Sequence, residues 1–392
     1  MHDTSILITG MGAISAAGND ISETLDSFLK VKRNAGPVTL FPTKLAYPVF
    51  EVKNLPPDYH LDGQRTLSLA LIAVDQALAD AGLDDLSGLR VGVCMGTTVA
   101  SQLNDLQFYT SYRERGDAPM VPVDRFLKGN LAEVISRRHK TRGPALTVVN
   151  ACSSGTDAIG VALSWLRSGL CDIVLAGGAD ELNHVPYCGF GSLGIVNPGL
   201  CTPFDRDRKG LNLGEGAGVV VLEKTTAARK RGRSSDLVLL GYGSSSDAYH
   251  LTAPSPDGIG LKISLRNVLD EAGIKPVEVC FVNAHGTGTN DNDLVEGNAL
   301  AGMFGNDLKM LSTKGYTGHT LGAAGGLEAV FTALGLREGW IPPSAGFSTR
   351  DDSISLAPVR EKTLVNGHYA ISTSLAFGGN NAALVIGRGV RA

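Results

Sequence analysis

Two stretches, residues 153–166 and 318–336, are built from small and apolar residues around the whole circumference of a helix, with one formal charge each, Asp157 and Glu328. A helix with no polar face must be covered on every side. Short β-branched runs surround both stretches, which predicts a layered α/β protein whose central helices lie between sheets.

The layers repeat along the chain. Residues 5–8 read as a strand ending at Gly10-Met11-Gly12, and residues 237–240 as one ending at Gly241-Tyr242-Gly243. Each is followed by an amphipathic helix, 66–82 or 261–273, and then by a strand, 91–94 or 279–282. Even the helix ends match, ALADAGL beside VLDEAGI. Such self-similarity predicts two copies of one βα-rich unit, and 392 residues leave room for both. The polar run 230–236 suggests a join near residue 235, giving an N-terminal half, 1–235, and a C-terminal half, 236–392.

Composition removes several function classes. With 35 basic against 39 acidic residues the net charge is -4, and no stretch gathers enough Lys and Arg to neutralise a run of phosphates, so bulk nucleic-acid binding is not expected. The start, MHDTSILITG, lacks a basic region followed by an apolar one. The longest uncharged stretch, 182–204, holds His184, two Asn and three Pro, which a lipid-facing helix disfavours. These features predict a soluble, cytoplasmic protein without membrane insertion. Six cysteines, at 94, 152, 171, 188, 201 and 280, form no CxxC pair, so reduced thiols and no metal site are expected.

Glycine is in excess, 49 of 392 residues against a usual share of about 7%, and it punctuates the apolar runs. Gly10-Met11-Gly12 invites a dinucleotide reading, but the next glycine falls at 18 instead of 15 and no clean helix follows. Neither GxxxxGK[ST] nor HExxH occurs.

Chemistry concentrates elsewhere. Cys152 ends a β-like run, 146–149, directly before the first apolar helix, where unpaired N–H groups would stabilise a thiolate and small neighbours leave room for a carbonyl. The alternative is a buried inert thiol, the reading given to Cys94, Cys171 and Cys280. His285 follows a strand in HGTGT, and His319 opens the second apolar helix in STKGYTGH. Each reads singly as a core or capping histidine; together with Cys152 they would converge at the seam between the halves. Glu328, alone in an apolar helix, needs a partner, for which Lys314 is the natural candidate. The turn in STSLAFGGNN, 372–381, either forms part of an oxyanion hole or is a plain hairpin.

These motifs resemble the β-ketoacyl-acyl-carrier-protein synthases of the thiolase superfamily over nearly the whole chain. The pieces are NACSSGTDAIG at 150–160, PFDRDRKGLNLGEGAG at 203–218, VNAHGTGT at 282–289, STKGYTGHTLGAAGGLE at 312–328 and AFGGNN at 376–381. The resemblance implies a five-layer αβαβα fold of two pseudo-repeat halves. It makes Cys152 the nucleophile that takes an acyl chain from the phosphopantetheine of acyl carrier protein. His285 and His319 would bind malonyl carrier protein's thioester carbonyl and promote decarboxylation, and Lys314 and Glu328 would support them. Phe377, with Gly378, lies at the gate, its N–H sharing the oxyanion with that of Cys152. Thr287 and Thr289 match hydroxyls beside the pantetheine arm. No cofactor is bound by the enzyme itself.

Departures from the family pattern are Ala376 where many relatives have glycine, and Asn290-Asp291 where Pro-Leu is usual. An acidic carrier would ask for a basic rim, for which Arg65, Arg125, Lys128, Arg206, Arg208 and Lys209 are candidates, unless DRDRKG is a self-paired loop. Dimerisation is implied, as a homodimer or as a heterodimer with a chain-length factor. Residues 99–112 are candidates to line the acyl tunnel. The expected function is chain elongation by decarboxylative condensation in fatty acid or polyene synthesis. The alternative is the ketosynthase of a type II polyketide or aryl polyene pathway, and more remotely a non-catalytic acyl-binding or assembly subunit. A degradative thiolase would need a second cysteine late in the chain, where only Cys280 stands, inside a predicted strand.

Overall fold

The computed structural model describes residues 5–86, 88–98, 100 and 106–389. Its strands are β1 (Ile6–Ser15), β2 (Val91–Gly96), β3 (Ala145–Val148), β4 (Ile173–Asp180) and β5 (Gly216–Lys224), then β6 (Leu237–Ser246), β7 (Val279–Asn283) and β8 (Lys309–Leu311). A separate ribbon of β9 (Trp340–Ile341) and β10 (Thr363–Leu364) precedes β11 (Tyr369–Ala376) and β12 (Asn380–Arg388). The helices that matter here are α1 (Arg65–Ala81), α2 (Ser154–Arg167), α3 (His184–Ser192), α4 (Ile259–Ala272), α5 (Asn290–Phe304) and α6 (Ala324–Glu338).

Strand order runs β3-β2-β4-β5-β1 and continues β6-β12-β11-β7-β8. Read outward from the seam, both halves place their first, fifth, fourth, second and third strands in that order. The sense of pairing repeats as well: in each half the three strands farthest from the seam run parallel and the remaining pairings are antiparallel. The seam is short, with Ile6 opposite Leu239 and Leu7 opposite Val238.

Alternation along the strands assigns each side chain to a layer. Val91, Val93 and Met95 of β2 face outward onto α1, whereas Cys94 faces inward. In the other half Val238, Leu240 and Val385 pack outward with Leu265 and Val268 of α4, and Leu239 and Leu384 face inward. The inward faces share one core with α2 and α6, so the layers are helix, sheet, helix pair, sheet, helix, as the family resemblance implies. Leu163 of α2 and Leu334 of α6 are each 1% exposed, and burying such a leucine contributes about 1.5–3 kcal/mol.

The strands outrun the sequence expectation. β1 continues through Gly10 and Gly12 with a bulge after Ile8, and β6 continues through Gly241 and Gly243. These glycines are contact points, not turns: a Cβ on Gly12 would lie 2.0 Å from the Ala73 carbonyl oxygen, and one on Gly243 would lie 2.1 Å from that of Ser264. The dinucleotide-like GMG is therefore where α1 presses onto the sheet. Helices α1 and α4 end as expected, on Gly82 and Gly273 in the left-handed conformation (φ 64° and 67°).

The second apolar helix starts later than expected, at Ala324, because Gly318 (φ 66°) and Leu321 (φ 52°) break the chain first. His319 thus lies ahead of α6, in an isolated parallel bridge to Leu213. Of the proposed tunnel segment, residues 99 and 101–105 lie outside the described residues. Among the described residues no helix is long and apolar enough to cross a membrane.

Candidate active site

Cys152 sits on a sharp bend between β3 and α2. Ala151 takes up a left-handed conformation there (φ 50°), unusual for a residue with a side chain. Ser154 holds the bend, its Oγ accepting from the Asn150 N–H (2.8 Å) and donating to the Ala151 carbonyl (2.6 Å). The thiol is 5% exposed. Burial pushes it up to about 11, while the Lys314 ammonium and a hydrogen bond from the Phe377 N–H pull the other way. The position before a helix is as expected; the standing thiolate is not, because desolvation outweighs the stabilising groups.

His285 leaves β7 on a loop fixed by a buried carboxylate. Glu296, on α5, accepts from the N–H groups of His285 and Gly286, both at 2.8 Å, and from Thr373 Oγ1 at 2.7 Å. Asp293, one turn earlier, accepts from the Gly288 N–H at 3.1 Å and from the Phe204 N–H at 2.6 Å. Gly286 and Gly288 have positive φ (40° and 82°), as the tight loop requires.

The two imidazoles meet edge to face, with ring centroids 5.1 Å apart. Cys152 Sγ and one nitrogen from each ring lie within 4.8 Å of one another, all buried. His319 Nδ1 accepts from the Leu321 N–H at 3.1 Å. Lys314 Nζ lies 3.1 Å from His285 Nδ1 and 2.5 Å from the His285 carbonyl oxygen, and it pairs with Glu328. Burial pushes both histidines well below their ordinary value, aided by Lys314 and, at His285, by the neighbouring ring. Neutral rings whose Nδ1 atoms accept must carry their protons on Nε2. Metal-ligating histidines usually donate through the second nitrogen; here that nitrogen faces a donor, so the set is arranged to give hydrogen bonds.

Phe377 lies on the cavity wall beside Cys152. Its ring stacks on Phe190 of α3 with centroids 5.5 Å apart and planes 21° apart. The following Gly378 and Gly379 have φ of 86° and 81°, and the Gly378 N–H donates to the Leu251 carbonyl at 2.8 Å. Cys152, both histidines, Phe377, Thr287 and Thr289 line a cavity of about 300 Å³. The two threonine hydroxyls bond each other at 2.8 Å. Asn290 and Asp291, in the first turn of α5, also reach this cavity, so the departure from Pro-Leu lies on its wall.

The six basic residues scatter. Arg65 is held inside by both oxygens of buried Glu215 and by the Val52 carbonyl. Buried Arg208 pairs with Asp351 and bonds the carbonyls of Asp205 and Asn290. Neither offers a free charge to a partner, because each neutralises a carboxylate of its own chain. Arg125 pairs with Asp62, Lys128 with Asp124 and Arg206 with Asp207, all at the surface. Exposed Lys209 lines the cavity mouth.

Sequence reasoning missed the buried acids. Glu296 and Asp293 are spaced three apart in NDNDLVEG, a helical spacing that puts both carboxylates against one loop. Asp180 accepts from Thr97, Thr98 and the Gly322 N–H and so pins the turn before α6. It sits at the end of an apolar strand, where a fully buried acid was the available signal.

Two family descriptions cover most of the chain: "Beta-ketoacyl synthase, N-terminal domain" matches residues 51–228 and "Beta-ketoacyl synthase, C-terminal domain" residues 237–348. The chain is 34% identical over 403 residues to the 3-oxoacyl-[acyl-carrier-protein] synthase 2 of Staphylococcus aureus (strain N315), covering 97% of each. Among solved structures it is similar to the ishigamide ketosynthase/chain length factor, with a TM-score of 0.93, 33% identity, and 98% and 99% of the two chains covered. It is also similar to the ketosynthase ApeO in complex with its chain length factor ApeC from Xenorhabdus doucetiae, with a TM-score of 0.85, 29% identity and 98% of each chain covered.

Proposed function

The chain belongs to the β-ketoacyl synthase family, and from that premise we propose that it is a condensing enzyme that elongates acyl chains held on acyl carrier protein. The observation that carries this reading is the convergence of one buried thiol and two buried imidazoles, fixed as Nε2–H donors, on one cavity.

In the first half-reaction Cys152 Sγ bonds to the acyl carbonyl, and the bond to the pantetheine sulfur breaks. Burial keeps the resting thiol protonated, so its proton leaves during attack and ends on the departing pantetheine sulfur, which is released as the thiol. The N–H groups of Cys152 and Phe377 receive the oxyanion. In the second, malonyl carrier protein loses carbon dioxide, and the released electron pair becomes an enolate on its thioester. Negative charge grows on the thioester oxygen, where His285 and His319 each donate Nε2–H; removing one such donor typically costs about 2.7–4 kcal/mol of barrier. The enolate carbon attacks acyl-Cys152, the Cys152 thiolate leaves, and the carrier departs with a β-ketoacyl chain two carbons longer. Lys314 and Glu328 keep His285 in its donor tautomer, and Thr287 and Thr289 face the pantetheine arm. No cofactor beyond the carrier's phosphopantetheine takes part.

The carrier would dock around Lys209, which lines the cavity, and exposed Arg206, three residues before it in the chain. The edge strand β3, with Leu146 43% and adjoining Val149 65% exposed, is where a second subunit would pair. We place the reaction in the cytoplasm and the division between halves at residue 235. A second reading, the ketosynthase of a polyene or polyketide pathway, is favoured by the similarity to two structures that contain a chain length factor.

Saturated, polyunsaturated and aryl-polyene acyl carrier proteins, each incubated with malonyl carrier protein, separate the two. Extension of saturated chains by the chain alone is the expected result. Extension only of polyene chains, or only with an added partner subunit, would move the assignment to the second reading.

A further inference from the structure

We propose that Asp157 and Tyr242 form a brace that positions Cys152 from the opposite half of the molecule. The inference rests on Cys152 being the nucleophile of the proposed condensation.

The bend at Ala151 is a strained backbone position, and such positions persist only where the surroundings over-determine them. The second half has a counterpart at Leu321 (φ 52°), ahead of α6. There the neighbouring Gly322 N–H is held by the Asp180 carboxylate at 2.7 Å. At the cysteine bend the corresponding anchor is Asp157, one turn into α2 and 6% exposed. Its Oδ2 accepts from Asn150 Nδ2 at 2.6 Å and from Ser153 Oγ at 2.8 Å, taking hold of the chain on both sides of Ala151-Cys152. Its Oδ1 accepts from Tyr242 Oη at 2.8 Å.

Tyr242 belongs to β6, in the other half, and its ring lies flat on α2 at Gly160. A Cβ at Gly160 would fall 2.4 Å from Tyr242 Cγ, so this glycine admits the ring. The carboxylate is thus satisfied by three neutral donors, two on the bend and one across the halves. Neither Asp157 nor Tyr242 lines the cavity, so both act through the bend they hold. Acyl transfer needs Sγ held against the Phe377 N–H and the start of α2, and small misplacements of a reacting atom cost rate more than affinity.

Tyr242→Phe removes one oxygen and is the direct test. Two quantities are measured: the pH dependence of Cys152 alkylation by iodoacetamide, followed by intact-protein mass, and kcat and KM for acylation by a small acyl thioester. The expected result is a kcat lowered about tenfold at unchanged KM, with the alkylation limb moved to higher pH as the N–H groups lose their aim. Ser153→Ala carries the same prediction independently, and the double variant should lose less than the sum. Wild-type kcat and an unmoved limb in either folded variant would overturn the brace, as would additive losses that follow the melting temperature alone. Alkylation needs no carrier protein and no decarboxylation, so the brace can fail while the condensation reading stands, and the reverse.

Discussion

At His285 and His319 burial and the Lys314 ammonium act in the same direction, against protonation, and the neighbouring N–H and ammonium groups decide which nitrogen keeps the single proton. Glu328 is different: burial raises its carboxyl to about 7, opposed by the paired Lys314. Below that pH the acid is neutral and the ion pair that aims the ammonium at His285 is lost. The rate of condensation is therefore expected to fall as pH falls through about 7, with no limb at the usual histidine value. Glu328→Gln should be slower and flat across that range; a wild-type limb that persists in the variant would assign it to another group. The same group has a stability consequence. Between about 4.5 and 7 the folded state holds a proton that the unfolded chain has released, so this contribution to stability is lost as pH rises through that window.

The elements meet through glycine. A Cβ on Gly155 of α2 would lie 2.7 Å from the Gly326 nitrogen and 2.8 Å from the Gly322 carbonyl oxygen, both backbone atoms that cannot swing aside. Gly155→Ala should cost about 1–3 kcal/mol or more, read as a lower melting temperature. Gly302, in α5 with nothing within 4 Å of its Cβ position, is the control, and its change to alanine should stabilise by about 0.5–1 kcal/mol. Equal effects at both sites would contradict close packing of the central helices. The same contacts explain what was legible. The apolar helices, their burial and the helix ends near 82 and 273 followed from periodicity and composition. The lengths of β1 and β6 did not, because Gly10, Gly12, Gly241 and Gly243 read locally as turns and only the helix lying across them shows otherwise. The start of α6 was misplaced for a related reason: a left-handed Leu321 leaves no mark in sequence.

At the scale of the whole molecule, two halves with one strand order place two bends, at Ala151 and Leu321, on the central helix pair, and the cysteine of one half meets the histidines of the other. Cys152, His285 and His319 were legible because each lies in a short motif with a turn beside it. Of the acids that hold them in place, Asp157 stood out as the lone charge of its helix but its partner Tyr242 did not, and Asp180, Asp293 and Glu296 were hidden because their partners come from distant segments or are backbone N–H groups that sequence does not display. Arg65 and Arg208 failed as rim residues for the converse reason, each being matched by a buried or half-buried acid far away in sequence. In the proposed condensation the thiol of one half carries the chain and the imidazoles of the other release the carbanion that extends it. Intact-protein mass spectrometry after mixing with acyl carrier protein, followed by a chase with malonyl carrier protein, tests it most directly. The expected result is an acyl adduct on Cys152, absent in Cys152→Ala, which the chase discharges as a β-ketoacyl chain two carbons longer. An adduct on another residue, or one on Cys152 that malonyl carrier protein leaves in place, would contradict it.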